Sequence, residues 1–146
     1  MPLFSRKVDY ALIALAYLHH RAEGATAREL ASRFGLKLAF TAKVLKALSR
    51  AGLVAGARGS GGGYRLARGA GKVRIDDLLA RLEEPFRLAE CNGGPERCGM
   101  SGECPVRASV EALGQRILSM LHDVTLADLF GRDGAQLHQL EMVAAR

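Results

Sequence analysis

The sequence predicts a mainly α-helical chain built on a winged helix-turn-helix, with a small β-hairpin wing and a long C-terminal dimerisation helix. Three observations lead there. Residues 27–51 hold a short helical run, a glycine and a second helical run, the order of a helix-turn-helix. Two short β-prone runs then flank Arg58-Gly59-Ser60-Gly61-Gly62-Gly63, which reads as a hairpin placed where a wing belongs. From Val106 to Val124, apolar residues recur at alternating spacings of four and three, a heptad seam.

Taken in order, Ser5 caps a first helix running to about Arg21, with Val8, Leu12, Leu15 and Leu18 along one face; Glu23-Gly24 closes it. Thr26 caps a second helix, Ala27–Phe34, and Glu29 completes a capping box. Gly35 ends that helix, and a third runs from about Leu38 to Ala51, with Val44, Leu45 and Leu48 inward and Gly52 behind it. Leu53–Ala55 and Tyr64–Leu66 are the wing strands. A further helix, Asp76–Leu82, stops at Pro85. Residues 84–104 are rich in Gly and Pro and hold all three cysteines, and a long loop of this composition is expected to carry function. Pro105 opens the long helix, whose seam is Val106, Val110, Leu113, Ile117, Met120 and Val124. Thr125 caps a short terminal helix, Leu126–Phe130. The organisation expected is therefore a winged helix-turn-helix over 1–83, a cysteine loop over 84–104, dimerisation and terminal helices over 105–130, and a tail over 131–146.

Composition narrows the function. The net charge is +6, but residues 1–74 carry fourteen Lys/Arg against three acids, and residues 75–146 carry seven against twelve. A basic half joined to an acidic half implies that one half meets a polyanion. The longest apolar run, Tyr10–Leu18, falls well short of the roughly 20 residues of a membrane span, and the charges Arg6, Lys7 and Asp9 do not suit a signal peptide. A cytoplasmic protein without membrane attachment is expected. Three cysteines make an odd set for a disulfide framework and favour metal or redox chemistry. No Ser-His-Asp set, Cys-x-x-Cys pair or paired-carboxylate site stands out, so an enzyme is not expected.

The candidate DNA-binding residues lie on the third helix and the wing. Lys37, Phe40, Thr41 and Lys43 stand at the start of the helix, the part of a recognition helix that meets base edges. Phe40 can pack on a thymine methyl or serve as a core aromatic, Thr41 can contact a base or phosphate, and Lys46 and Arg50 can reach phosphates. On the wing, Arg58 is a candidate minor-groove or guanine reader. Ser60, Gly61, Gly62, Gly63 and Tyr64 form a turn slim enough for its backbone to approach a groove. A phosphate-binding P-loop is the rival reading, but this turn lacks the Gly-Lys-Ser/Thr ending and opens no helix.

The wing run Arg58–Leu66, the Ala27–Ala51 unit and the three-cysteine loop together resemble the Rrf-two-type winged-helix regulators, which include iron–sulfur (IscR-type) and nitric-oxide-sensing (NsrR-type) members. The resemblance covers roughly residues 1–130. It implies a homodimer that binds a pseudo-palindromic operator on double-stranded DNA, as a repressor or an activator, with the long helix as dimer interface.

Cys91, Cys98 and Cys104 are separated by six and five residues. Zinc sites pair their ligands more closely, whereas widely spaced soft thiolates suit an iron–sulfur cluster; the resemblance points the same way. A thiol switch without metal is the alternative. IscR-type members place a histidine three residues after the third cysteine. Here that residue is Arg107, which cannot ligate. NsrR-type members recruit an aspartate from the first helix, and Asp9 stands at that position; its other reading is an exposed acid favoured by the helix dipole, and as a ligand it is expected to act across the dimer. A 4Fe–4S cluster is expected ahead of a 2Fe–2S one, with Glu90, Glu103 and His122 as fallback ligands. A regulator of the same fold without a cluster, sensing a metabolite, a protein partner or thiol oxidation, is the other reading.

Overall fold

In the computed structural model the described residues are 4–57, 59, 62–100 and 103–131. Arg58, Ser60, Gly61 and the tail beyond residue 131 lie outside them. The helices are α1 (Arg6–His19), α2 (Ala27–Phe34), α3 (Leu38–Arg50), α4 (Ile75–Arg81), α5 (Arg107–Asp123) and α6 (Leu126–Phe130); the strands are β1 (Val54–Ala57) and β2 (Gly63–Leu66). The expected class, mainly helical with a two-stranded wing, is what the chain adopts. Among the described residues, no helix is long and apolar enough to cross a membrane.

Local chemistry sets the helix ends. The Ser5 hydroxyl accepts from the Val8 amide and the Thr26 hydroxyl from the Glu29 amide, relieving two amides that have no partner within the helix. Gly35 ends α2 in the left-handed conformation at φ 64°, where a β-carbon is disfavoured. Thr125 and Asp128 cap α6 reciprocally, the Thr125 amide donating to the Asp128 carboxylate at 2.8 Å. The Thr125 hydroxyl and then its amide hold the Asp128 carboxyl below the usual carboxylate range. α1 stops at His19, two residues earlier than expected, because the Arg21 amide turns back onto Leu18 O at 3.3 Å and Gly24 N onto Arg21 O at 3.0 Å.

The chain divides into two compact units, Met1–Val73 with Thr125–Arg146, and Arg74–Val124. The sequence division differs, placing α4 with the winged helix-turn-helix and α6 with the dimerisation helix. α6 belongs to the first unit because it folds back on α1: the His20 Nε2–H donates to Phe130 O at 3.0 Å, and the Phe130 and His19 rings lie 5.5 Å apart. The core of this unit is Val8, Ala11, Ala14, Leu15 and Leu18 of α1, Leu30 and Ala31 of α2, Val44, Leu45 and Leu48 of α3, then Leu53, Val54, Ala70, Leu126 and Phe130. Ala11 and Ala14 take core positions on α1 while Leu12 is only half-buried.

β1 and β2 pair antiparallel with Val54 opposite Leu66 and Ala57 opposite Gly63. A third segment joins through a single residue: Ala25 exchanges two backbone hydrogen bonds with Tyr64, at 2.9 and 2.8 Å. The wing is thereby tied to the turn before α2.

In the second unit, Ile75, Leu78, Leu79 and Leu82 are buried. α4 runs from Ile75 to Arg81, one residue ahead of expectation, and is ended by Glu83 in the left-handed region at φ 58° rather than by Pro85. Glu84 N then reaches back to Leu79 O at 2.9 Å, a closure that normally uses glycine. Glu83→Gly is expected to raise stability by about 0.5–1 kcal/mol, measured by denaturant titration. At the other end of the unit, the Arg74 guanidinium donates to His122 Nε2 at 2.6 Å, and His122 Nδ1–H donates to Asp76 at 2.8 Å.

Candidate nucleic-acid interface and cysteine site

α3 presents one face to the core and one to the outside. Lys37, Leu38, Ala39, Lys43, Lys46 and Arg50 are exposed, so the lysines expected at the interface are all open to solvent. Two expected residues do not. Thr41 is only 2% exposed, and its hydroxyl donates to Lys37 O at 3.1 Å; a buried, back-bonded threonine cannot reach a base or a phosphate, and the expectation is corrected. Phe40 is half-buried, edge-on to Tyr10 with ring centroids 4.8 Å apart, which makes it a packing residue of the α1–α3 contact. Tyr10, which the sequence did not single out, also accepts the Lys37 amide on its hydroxyl at 3.3 Å. It therefore fixes the start of α3 through a ring contact and a hydrogen bond.

On the wing, Gly59 takes φ 109° and its carbonyl accepts the Gly62 amide at 2.9 Å. A β-carbon on Gly62 would lie 2.7 Å from Ala57 O and 2.8 Å from Gly59 O, and one on Gly63 would lie 2.8 Å from Ala25 O. These two glycines are required by the fold of the turn itself, whatever else approaches it. Tyr64 is half-buried. Arg58, Ser60 and Gly61 fall outside the described residues.

All three cysteines are free, half-buried thiols. Cys91 lies in the short 3-10 turn Glu90–Gly93, and Cys98 follows a second one, Pro95–Arg97. Gly114, the only buried residue of α5, receives the first turn: a β-carbon there would lie 2.5 Å from Asn92 Nδ2. Asn92 in turn accepts the Ala89 amide at 3.1 Å. Arg107, at the first position of α5, is bound by Glu111 at 2.8 Å. That hydrogen bond above all, and to a lesser degree Cys91 and Cys98, hold its guanidinium in the charged form.

The donor set fits an iron–sulfur cluster in kind, being three soft thiols on one loop. In position they are spread out, since the described residues contain no group of three His, Cys, Asp or Glu arranged to hold a metal ion. Asp9 is exposed in the first turn of α1. Of the fallback ligands, Glu90 and Glu103 are exposed. Both ring nitrogens of His122 are engaged by Arg74 and Asp76, which removes it from the candidates.

A three-helix core, a helix-turn-helix with an exposed lysine face and a two-stranded wing define a winged helix-turn-helix regulator of transcription. The comparisons name the family: the model of Rrf2, described as an iron-dependent transcriptional regulator, matches residues 4–132, and the chain belongs to that family. Among solved structures it is similar to T. potens IscR, with 27% identity and a TM-score of 0.65 over 86% of this chain and 84% of that one. It is similar in fold to CymR (YrzC), the global cysteine regulator of B. subtilis, with 24% identity and a TM-score of 0.68 over 89% and 97% of the two chains. Staphylococcus aureus CymR matches with 22% identity and a TM-score of 0.66 over 86% and 96%.

Proposed function

We propose that the protein is a homodimer that binds a pseudo-palindromic operator, and that an iron–sulfur cluster on Cys91, Cys98 and Cys104 sets its affinity for that duplex. The partner subunit's Asp9 is the proposed fourth ligand, and 4Fe–4S is favoured over 2Fe–2S. The observation that carries the reading is three free, half-buried thiols on one loop whose seat on the rest of its unit is Asn92 against Gly114; between Leu82 and Gly114 no residue whose burial is described is buried. Such a segment can rearrange at little cost, so its thiols can gather without disturbing the fold. The similarity to IscR and the family description support the reading.

When bound, the cluster would supply an inorganic centre sensitive to oxygen, nitric oxide and iron supply. The chain's own residues would couple it to DNA. Asp9 adjoins Tyr10, and Tyr10 holds both Phe40 and the Lys37 amide at the start of α3. A pull on the first turn of α1 is thus one residue from the base of the recognition helix. Two states of that turn would present α3 to the duplex differently, and ligation would shift their populations.

Purification without oxygen is expected to yield coloured protein containing iron and sulfide in equal amounts, with an operator affinity that changes when the centre is removed. Asp9→Ala should weaken retention of the cluster while leaving the dimer folded; undiminished retention would remove Asp9 from the ligand set.

A second reading starts from the same three free, half-buried thiols, which can react without any metal. In that reading the thiols sense oxidants directly. Colourless, iron-free protein whose DNA affinity responds to a mild oxidant would support it against the cluster.

A further inference from the structure

Apart from Arg50 at its far end, the exposed face of α3 carries only lysines and Ser49 among the side chains that usually read bases. From Lys37 to Ser49 there is no Asn, Gln, Asp, Glu or Arg. Those are the residues that make paired hydrogen bonds to adenine or guanine, or accept from cytosine; lysine alone can serve guanine. What the first two turns offer is apolar. Leu38 is 43% exposed, Ala39 is exposed and Ala42 is half-exposed. At about 100° per residue, positions 38, 39 and 42 fall on one side of the helix, and Lys43 and Lys46 border them. Leu38 is not one of the buried core residues of this unit.

We infer that Leu38 is a specificity-determining residue that reads the 5-methyl group of thymine in the major groove. The thymine methyl is the one apolar group displayed there. Ala39 and Ala42 carry no bulk beyond a methyl, so the helix axis can approach the base edges closely enough for Leu38 to bury that methyl. The surrounding Lys37, Lys43 and Lys46 match the phosphates on either side, as does the excess of fourteen basic over three acidic residues across positions 1–74. This charge is what selects a duplex over a protein or lipid partner for the apolar patch. The assignment moves the apolar base contact from Phe40, which packs on Tyr10, to Leu38. It rests on the proposed DNA-binding function and specifies its base preference.

The test uses the full-length protein to enrich duplexes from a random pool, then replaces each thymine of the enriched duplex with deoxyuridine, which deletes only the methyl. A symmetric pair of thymines should stand out, each losing about fourfold in affinity when replaced. Leu38→Ala should bind the thymine duplex more weakly and bind thymine and uracil duplexes equally. Lys43→Ala should weaken both duplexes alike and keep the preference. Because Leu38 is 43% exposed and outside the buried core, its replacement should lower the melting temperature only slightly and leave the fold intact. Indifference to uracil at every position, or an intact thymine preference in Leu38→Ala, would overturn the inference while leaving DNA binding in place. If no duplex is enriched at all, the DNA-binding reading itself fails, and the inference with it.

Discussion

Aspartate at both Leu113 and Met120 is expected to convert the proposed homodimer to monomers and to lower affinity for the proposed operator by about 10²–10⁴-fold. α5 is 17 residues long, and Gly114 is its only buried residue. Val106, Leu113 and Met120, seven residues apart, are 56%, 50% and 66% exposed. Three large apolar side chains in one line, each at least half open to water, are a poor surface for a lone helix and a suitable one for a second copy of itself. The seam residues between them, Val110 and Ile117, are half-buried. Two aspartates on this line would place unpaired charges in a surface that must lose water on association. The substituted positions are exposed in the single chain, so its own fold should survive. Loss of affinity would then come from loss of the second reading head rather than from damage to the first. Sedimentation analysis, together with titration of a selected two-half-site duplex and of a single half-site, separates the two. Single-site affinity should change little. A variant that remains dimeric would show that the seam lies elsewhere.

Much of this architecture is legible in the residues because its signals are local. Thr26 with Glu29, and Gly35 eight residues after Ala27, bound α2 at the same residues in sequence and structure. The heptad of α5 needs only its own spacing to be seen, though the helix proper begins at Arg107, two residues after Pro105. What escapes is set by tertiary contact. Thr41 looks like a surface residue because it is polar, yet its hydroxyl finds Lys37 O within the helix and its methyl can then be buried with Val44 and Leu45. Phe40 faces inward because Tyr10 is there to meet it, and no spacing within α3 announces a partner 30 residues earlier. The return of α6 to α1 rests on His20 and Phe130, which are far apart in the chain. The cysteine loop is legible as a donor set but not as a geometry, because nothing in its sequence dictates how the two 3-10 turns would gather their thiols.

The wing offers the second large effect, at a residue that reads in the sequence merely as a helix stop. Gly24→Ala is expected to destabilise the first unit by about 3 kcal/mol, whereas Gly35→Ala should cost about 1 kcal/mol. Both glycines have positive φ, 83° and 64°, so both substitutions meet the left-handed penalty. They differ in their surroundings. A β-carbon on Gly35 meets nothing, while one on Gly24 runs into the Tyr64 carbonyl and comes within 2.6 Å of Arg65 Cγ and 3.2 Å of Tyr64 C. The first obstacle is backbone and cannot swing aside. To relieve it, β2 must move away from the α1–α2 turn, and the two hydrogen bonds between Ala25 and Tyr64 must lengthen or break. Those bonds are what fasten the hairpin to the helix-turn-helix, so the wing should lose its fixed direction along with the stability. Parallel denaturant titrations of the two variants measure the difference between them, which isolates the contact with Tyr64 from the backbone penalty they share. Equal losses in the two would mean that the wing yields freely and that the Ala25–Tyr64 bridge does not hold it.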